Sequence, residues 1–144
     1  MPRFDHVCVV VDDVDAAVAF FDFLGFEREG RTVVEGEDVD KINGLEGVRA
    51  EILMVRAPDG SGKLELVKYI APADGNGADA SPANRPGLRH ICLEIEDLDG
   101  ILDGLRDQGF DTVGEVRAVG SAYRTCYVRG PEGLIVELAE RLPS

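Results

Sequence analysis

The strongest constraint on this chain is an internal repeat whose two copies lie 84 positions apart (90 − 6). The first copy begins His6-Val-Cys-Val-Val-Val-Asp-Asp-Val-Asp15, and the second begins His90-Ile-Cys-Leu-Glu-Ile-Glu-Asp-Leu-Asp99. The same offset places Gly25-Phe26 on Gly109-Phe110 without a gap. Self-similarity of this kind indicates one supersecondary unit used twice.

Each copy has the sequence pattern of one strand, one helix and three further strands. Apolar, β-branched runs predict the first strands, and Asp residues followed by helical stretches that end at Gly predict the helices. The predicted first strands and helices cover about 4–11 and 14–24 in the first copy, and about 88–95 and 98–108 in the second. The further strands are predicted at about 27–34, 50–56, 63–70, 112–119, 122–128 and 134–139. The pattern therefore predicts an α+β chain of two tandem βαβββ modules.

The length of 144 residues is that of one ordinary domain. Within this domain, the local composition indicates two modules joined by a linker. The first module is expected at about 1–70 and the second at about 87–144. The segment 71–86 is rich in Ala, Pro, Gly, Asp and Asn, which is typical of a surface linker. The segment 36–47 is predicted to be a second long loop, and loops of that length are often functional.

The chain has only two histidines, and both occupy the same position of the repeat. Because side chains alternate along a strand, His6 and His90 are expected on the face opposite the aliphatic residues that pack on the helices. Glu65 and Glu137, in the last strand of each module, are expected on the same face as the histidines. A lone strand histidine is more often a hydrogen-bonded core residue, and a lone glutamate is usually solvated. The coincidence of both pairs at equivalent positions favours a metal site instead.

Two neutral imidazoles and two carboxylates balance the charge of one divalent ion and leave room for water or substrate oxygens. Such mixed N and O donors suit zinc, nickel, cobalt, manganese or ferrous iron, and they do not choose among these ions. His6, Glu65, His90 and Glu137 are therefore the predicted metal ligands.

The formal charge of −13 argues against partners that are nucleic acids or anionic membrane surfaces, because both would repel the chain. No apolar run approaches the roughly 20 residues needed to cross a bilayer, and the first residues lack the apolar segment of a secretory signal. A cytoplasmic protein is expected. The three cysteines have no zinc-type spacing and are expected to be reduced thiols.

These residues resemble the vicinal oxygen chelate superfamily, which includes glyoxalase I, methylmalonyl-CoA epimerase, extradiol dioxygenases and the fosfomycin and bleomycin resistance proteins. The resemblance covers essentially the whole chain. It rests on His6-Val-Cys-Val9, Leu24-Gly25-Phe26, Glu65, Leu88-Arg-His-Ile-Cys92, and Gly130-Pro-Glu-Gly133 leading to Glu137. The resemblance implies two βαβββ modules whose strands form a curved mixed sheet around one divalent metal ion, commonly in a homodimer.

One His and one Glu from each module is the ligand arrangement of glyoxalase I, and it is close to that of the epimerase. The resemblance therefore implies a metal-dependent lyase or isomerase acting on a small molecule with vicinal oxygens. The metal would stabilise an enediolate while Glu65 or Glu137 moves a proton, and Glu137 is the preferred base. Two alternatives stay open. One is a non-catalytic protein that binds an antibiotic, and the other is an Fe(II) dioxygenase.

Overall fold

The computed structural model describes all 144 residues, which form two compact units, Met1–Ala78 and Asp79–Ser144. Each unit contains one mixed β-sheet with a helix in contact with two of its strands. The α+β class and the duplicated sheet predicted from the repeat are confirmed. None of the three helices is long and apolar enough to cross a membrane.

The first unit is a four-stranded sheet in the order β1-β4-β3-β2. Its elements in chain order are β1 (Val7–Val10), α1 (Val14–Phe23), β2 (Glu27–Glu35), α2 (Glu37–Asn43), β3 (Arg49–Arg56) and β4 (Lys63–Ala71). The first strand runs parallel to β4, and the other neighbouring strands are antiparallel. The start of the chain is therefore placed beside the strand that contains Glu65.

The second unit repeats this plan with the order β5-β9-β8-β6, and β7 also pairs with β8. Its elements are β5 (His90–Ile95), α3 (Leu98–Asp107), β6 (Asp111–Thr112), β7 (Arg117–Val119), β8 (Tyr123–Arg129), a 3-10 turn (Pro131–Gly133) and β9 (Ile135–Arg141). Here too the first and last strands are parallel neighbours. His90 at the start of β5 is thus brought beside Glu137 in β9.

The main helices begin and end as the sequence predicts. Asp13 and Asp97 cap α1 and α3 by accepting hydrogen bonds from backbone N–H groups three residues later. At the other ends, Gly25 has φ +88° and Gly109 has φ +91°, a left-handed conformation that glycine adopts without strain. Both helices therefore stop where the connection to the next strand must start.

The residues on both sides of each predicted metal-binding glutamate are buried. Leu64 and Leu66 of β4 are buried, as are Val136 and Leu138 of β9. Removing this apolar surface from water stabilises each unit by about 25 cal/mol per Å². The intervening residues, which include both predicted metal-binding glutamates, face the other way, as the alternation predicts.

Two local features differ from the prediction. The segment 36–47 is not only a loop but contains α2, which begins with acidic residues that suit a helix N-terminus and lacks a clear apolar repeat. The predicted strand 112–119 is interrupted between Thr112 and Arg117. The boundary between the two units falls inside the segment 71–86. Within this segment Ser81 is buried, and its carbonyl oxygen accepts a hydrogen bond from Arg129.

Candidate metal centre

The first unit brings His6 and Glu65 together. His6 immediately precedes β1, whereas the sequence predicted that it lies within the strand. Cys8 is the register partner of Glu65. The Nε2 atom of His6 lies 3.6 Å from Oε2 of Glu65. The two side chains are 33% and 24% exposed, so both remain accessible to an ion or a small ligand.

The second unit brings His90 and Glu137 together in the same manner. Cys92 is the register partner of Glu137, and Nε2 of His90 lies 3.3 Å from Oε1 of that carboxylate. These side chains are 34% and 20% exposed. Each copy of the sequence repeat therefore contains one His–Glu pair in the structure.

The separations within the pairs fit donor atoms that share one ion. Ligand atoms about 2.0–2.2 Å from a common ion, in tetrahedral or octahedral arrangement, lie about 2.8–3.6 Å apart. The observed N–O separations are 3.6 and 3.3 Å, and in each pair the Nε2 atom faces the carboxylate. The structure forms two such pairs, and no group of three or more His, Cys, Asp and Glu side chains has the geometry of a metal site.

In the first unit the histidine is oriented by a carboxylate. Nδ1 of His6 lies 2.6 Å from Oδ2 of Asp5, whose Oδ1 lies 3.7 Å from Nζ of Lys63. The hydrogen bond with His6 and the charge of Lys63 lower the pKa of Asp5, so this residue is a carboxylate acceptor at neutral pH. An Nδ1–H that donates to Asp5 leaves Nε2 with its lone pair free for a metal, as is common for histidines that bind metal ions.

In the second unit the glutamate is the residue held in place. The Thr125 hydroxyl donates to Oε2 of Glu137 over 2.7 Å and also lies 3.1 Å from the carbonyl oxygen of Leu138. The His90 ring packs against the Tyr127 ring, with centroids 4.8 Å apart. The position equivalent to Asp5 in this unit is Arg89 (5 + 84), so His90 has no corresponding carboxylate beside it in the sequence.

The two thiols beside these pairs are protonated at neutral pH. Desolvation, followed by the charge of Glu65 and a hydrogen bond to it, raises the pKa of Cys8 to about 11. The same causes, with Glu137 as the carboxylate, raise the pKa of Cys92 to about 11. Each thiol can therefore donate a hydrogen bond to the glutamate next to it.

The comparisons with known proteins decide the family. The family model of the glyoxalase/bleomycin resistance protein/dioxygenase superfamily matches residues 5–127. The chain belongs to this superfamily. The resemblance to the vicinal oxygen chelate superfamily is thereby confirmed.

Solved structures of the superfamily agree with this assignment. A glyoxalase family protein from Bacillus cereus is 36% identical, with a TM-score of 0.94 and coverage of 99% of this chain and 96% of that one. A glyoxalase family protein from Enterococcus faecalis is 24% identical, with a TM-score of 0.67 and coverage of 96% and 97%. The genomically encoded fosfomycin resistance protein from Listeria monocytogenes is 14% identical, with a TM-score of 0.62 and coverage of 96% and 92%. The last two show the fold alone. No curated protein matches the chain significantly.

Two residues that contact the predicted ligands were missed from the sequence. Asp5 directly precedes His6, and a search for a partner of the second imidazole nitrogen would have found it. Thr125 lies on β8 and reaches Glu137 only because of the antiparallel register between β8 and β9. Nothing in the local sequence around Thr125 indicates that register.

Proposed function

We propose that this superfamily member is a metal-dependent lyase or isomerase of the glyoxalase/epimerase type, acting on a small molecule with vicinal oxygens. The observation that carries the proposal is the repeated His–Glu pair, with N–O separations of 3.6 and 3.3 Å. The pair recurs at equivalent positions of both units, which supports a shared role for its four side chains.

His6, Glu65, His90 and Glu137 are proposed to hold one divalent ion, which is zinc, nickel, cobalt, manganese or ferrous iron. The donor set fits, since two imidazole nitrogens and two carboxylates suit all of these ions and balance a charge of +2. When bound, the ion would stabilise the negative charge that develops as a C–H next to a carbonyl loses its proton.

The side chains of the protein bind the ion and transfer the proton. The imidazoles are neutral donors, and in the first unit the hydrogen bond to Asp5 keeps Nε2 available. One glutamate takes the proton from carbon and returns it, either to the adjacent carbon or to the opposite face of the same carbon. The protonated thiols of Cys8 and Cys92 do not compete as bases, because the pKa of each is raised to about 11.

A homodimer is part of the proposal. β2 is an edge strand of its sheet, so its outer backbone groups have no strand partner within that sheet. Apolar side chains on or beside several strands are also exposed, among them Phe4, Val10, Leu88 and Val119. Light scattering during gel filtration is expected to give the mass of two chains. A cytoplasmic location remains a prediction from the sequence.

The test of the reaction is hydrogen–deuterium exchange at carbon, followed by proton NMR in D₂O. The probes are a hemithioacetal of methylglyoxal with a thiol and a chiral α-substituted acyl thioester, each with protein reconstituted with one divalent ion at a time. We expect exchange with at least one probe, lost on chelation and in a Glu65→Gln/Glu137→Gln double variant.

Two results would overturn this reaction. Oxygen uptake that requires added iron, with no exchange at carbon, would indicate a dioxygenase. Tight binding of bleomycin or fosfomycin by chelator-treated protein, with no exchange, would indicate a binding protein that needs no metal.

A further inference from the structure

The two glutamates of the proposed metal site have different neighbours on the adjacent strand. In the second unit, Tyr127 of β8 is the register partner of Glu137, and Thr125 is the partner of Ala139. From this position the Thr125 hydroxyl reaches Oε2 of Glu137 at 2.7 Å. The other oxygen, Oε1, faces His90 at 3.3 Å. The two oxygens of this carboxylate therefore have different partners. One accepts a hydrogen bond from Thr125, and the other is directed to the proposed ion.

The equivalent strand position in the first unit has no hydroxyl. Met54 of β3 is the register partner of Glu65, and Ile52 is the partner of Val67. Ile52 therefore occupies the place that Thr125 has in the second unit, and it packs against an apolar cluster that contains Val67. A hydrocarbon side chain cannot hold a carboxylate oxygen, so Glu65 lacks this restraint.

We infer that Thr125 is a positioning residue that fixes Glu137 as a permanent metal ligand, and that Glu65 is the carboxylate that leaves the ion to take the substrate proton. This inference rests on the proposed function. A carboxylate that alternates between ion and substrate must rotate. Glu137 would have to break a short hydrogen bond from Thr125 at each turnover, whereas Glu65 would not. The assignment reverses the preference for Glu137 as the base that the sequence suggested.

The first test measures affinity for Co²⁺ alone, by competition with a chromophoric chelator and by the visible spectrum of the bound ion. Thr125→Val removes the hydroxyl and keeps the side-chain shape. It is expected to weaken Co²⁺ binding about 10–100-fold, the range typical for loss of an outer-shell partner. Thr125→Ser should restore the affinity and the spectrum. Thr112→Val, on another strand of the same unit, is the control and should leave both unchanged.

If Thr125→Val binds Co²⁺ with the same affinity as the wild-type protein, the proposed role of Thr125 is wrong. A wild-type protein that binds no divalent ion would overturn the proposed function itself, so the two failures are distinguishable. The gain-of-hydroxyl variant Ile52→Thr is the mirror experiment and should tighten Co²⁺ binding in a protein that remains folded by circular dichroism.

The second test separates the two glutamates. Glu65→Gln is expected to retain Co²⁺ and to lose carbon proton exchange by about 10²–10⁴-fold, the contribution of a general base. Glu137→Gln is expected to lose Co²⁺ affinity first. Full exchange in Glu65→Gln, together with loss of exchange in a metal-loaded Glu137→Gln, would assign the base to Glu137 and overturn the inference.

Discussion

The two units start from the same sequence repeat and place the same His–Glu pair on the same sheet face, yet each secures a different member of the pair. In the first unit Asp5 bonds to the histidine, and in the second Thr125 bonds to the glutamate. The first unit also contains α2, which has no counterpart in the second. Duplication thus preserved the donor atoms, while the residues around them diverged and made the two halves of the proposed site unequal.

The largest effect that would sharpen this comparison is expected at Asp5. Asp5→Ala removes the acceptor that orients His6 and should weaken divalent-ion binding about 10–100-fold in a competition titration. Arg89→Ala changes the equivalent position of the second unit. Because a guanidinium has no acceptor to offer an imidazole N–H, the affinity should stay within about twofold. Equal losses in both variants would show that the two histidines are not supported differently.

A smaller effect is expected at α2. The Tyr69 hydroxyl donates to Oδ1 of Asn43 over 2.6 Å and ties α2 to β4. Tyr69→Phe should remove about 0.5–1.5 kcal/mol of local stability and speed amide hydrogen exchange in segment 36–47. Mass spectrometry of the exchanged peptides measures the exchange rate. Tyr123→Phe in the second unit is the control, since the ring of Tyr123 contacts Arg141. Unchanged exchange in Tyr69→Phe would mean that α2 is held by its apolar contacts alone.

The smallest effect concerns the thiols, for which the two units should behave alike. The pKa of Cys8 and of Cys92 is raised to about 11 from an ordinary 9.0, so both are protonated at pH 8 and should be alkylated slowly in chelator-treated protein. Glu65→Gln removes a negative charge from beside Cys8 and replaces the carboxylate with a neutral, weaker acceptor. This lowers the pKa of Cys8, raises its thiolate fraction and speeds its alkylation. Desolvation, the first cause, persists, so the gain is modest.

The matched variant is Glu137→Gln, which should speed Cys92 alone. Peptide mass spectrometry after timed alkylation with iodoacetamide distinguishes the two thiols. Acceleration of both thiols by either single variant would contradict the local electrostatic explanation.

The repeat was sufficient to predict the two βαβββ modules and the common sheet face of His6 with Glu65 and of His90 with Glu137. Strand alternation follows from apolar patterns that extend over many residues, whereas the parallel pairing of the first and last strands was seen only in the structure. The helix α2 was missed because its polar sequence, Glu37–Asn43, lacks an apolar period, and one of its contacts comes from Tyr69, far along the chain. Thr125 was missed for a related reason, since its role depends on a register between two strands that a local pattern does not contain.

The most direct test of a single ion shared by both pairs is the metal stoichiometry of protein purified without an affinity tag and reconstituted with divalent ions, measured by elemental mass spectrometry. We predict one ion per chain in the wild type, and loss of that whole ion in His6→Ala and equally in Glu137→Ala, because the proposed site uses both pairs for one ion. Two ions per chain, with each variant losing only one, or no ion in the wild type under any condition, would contradict the shared site.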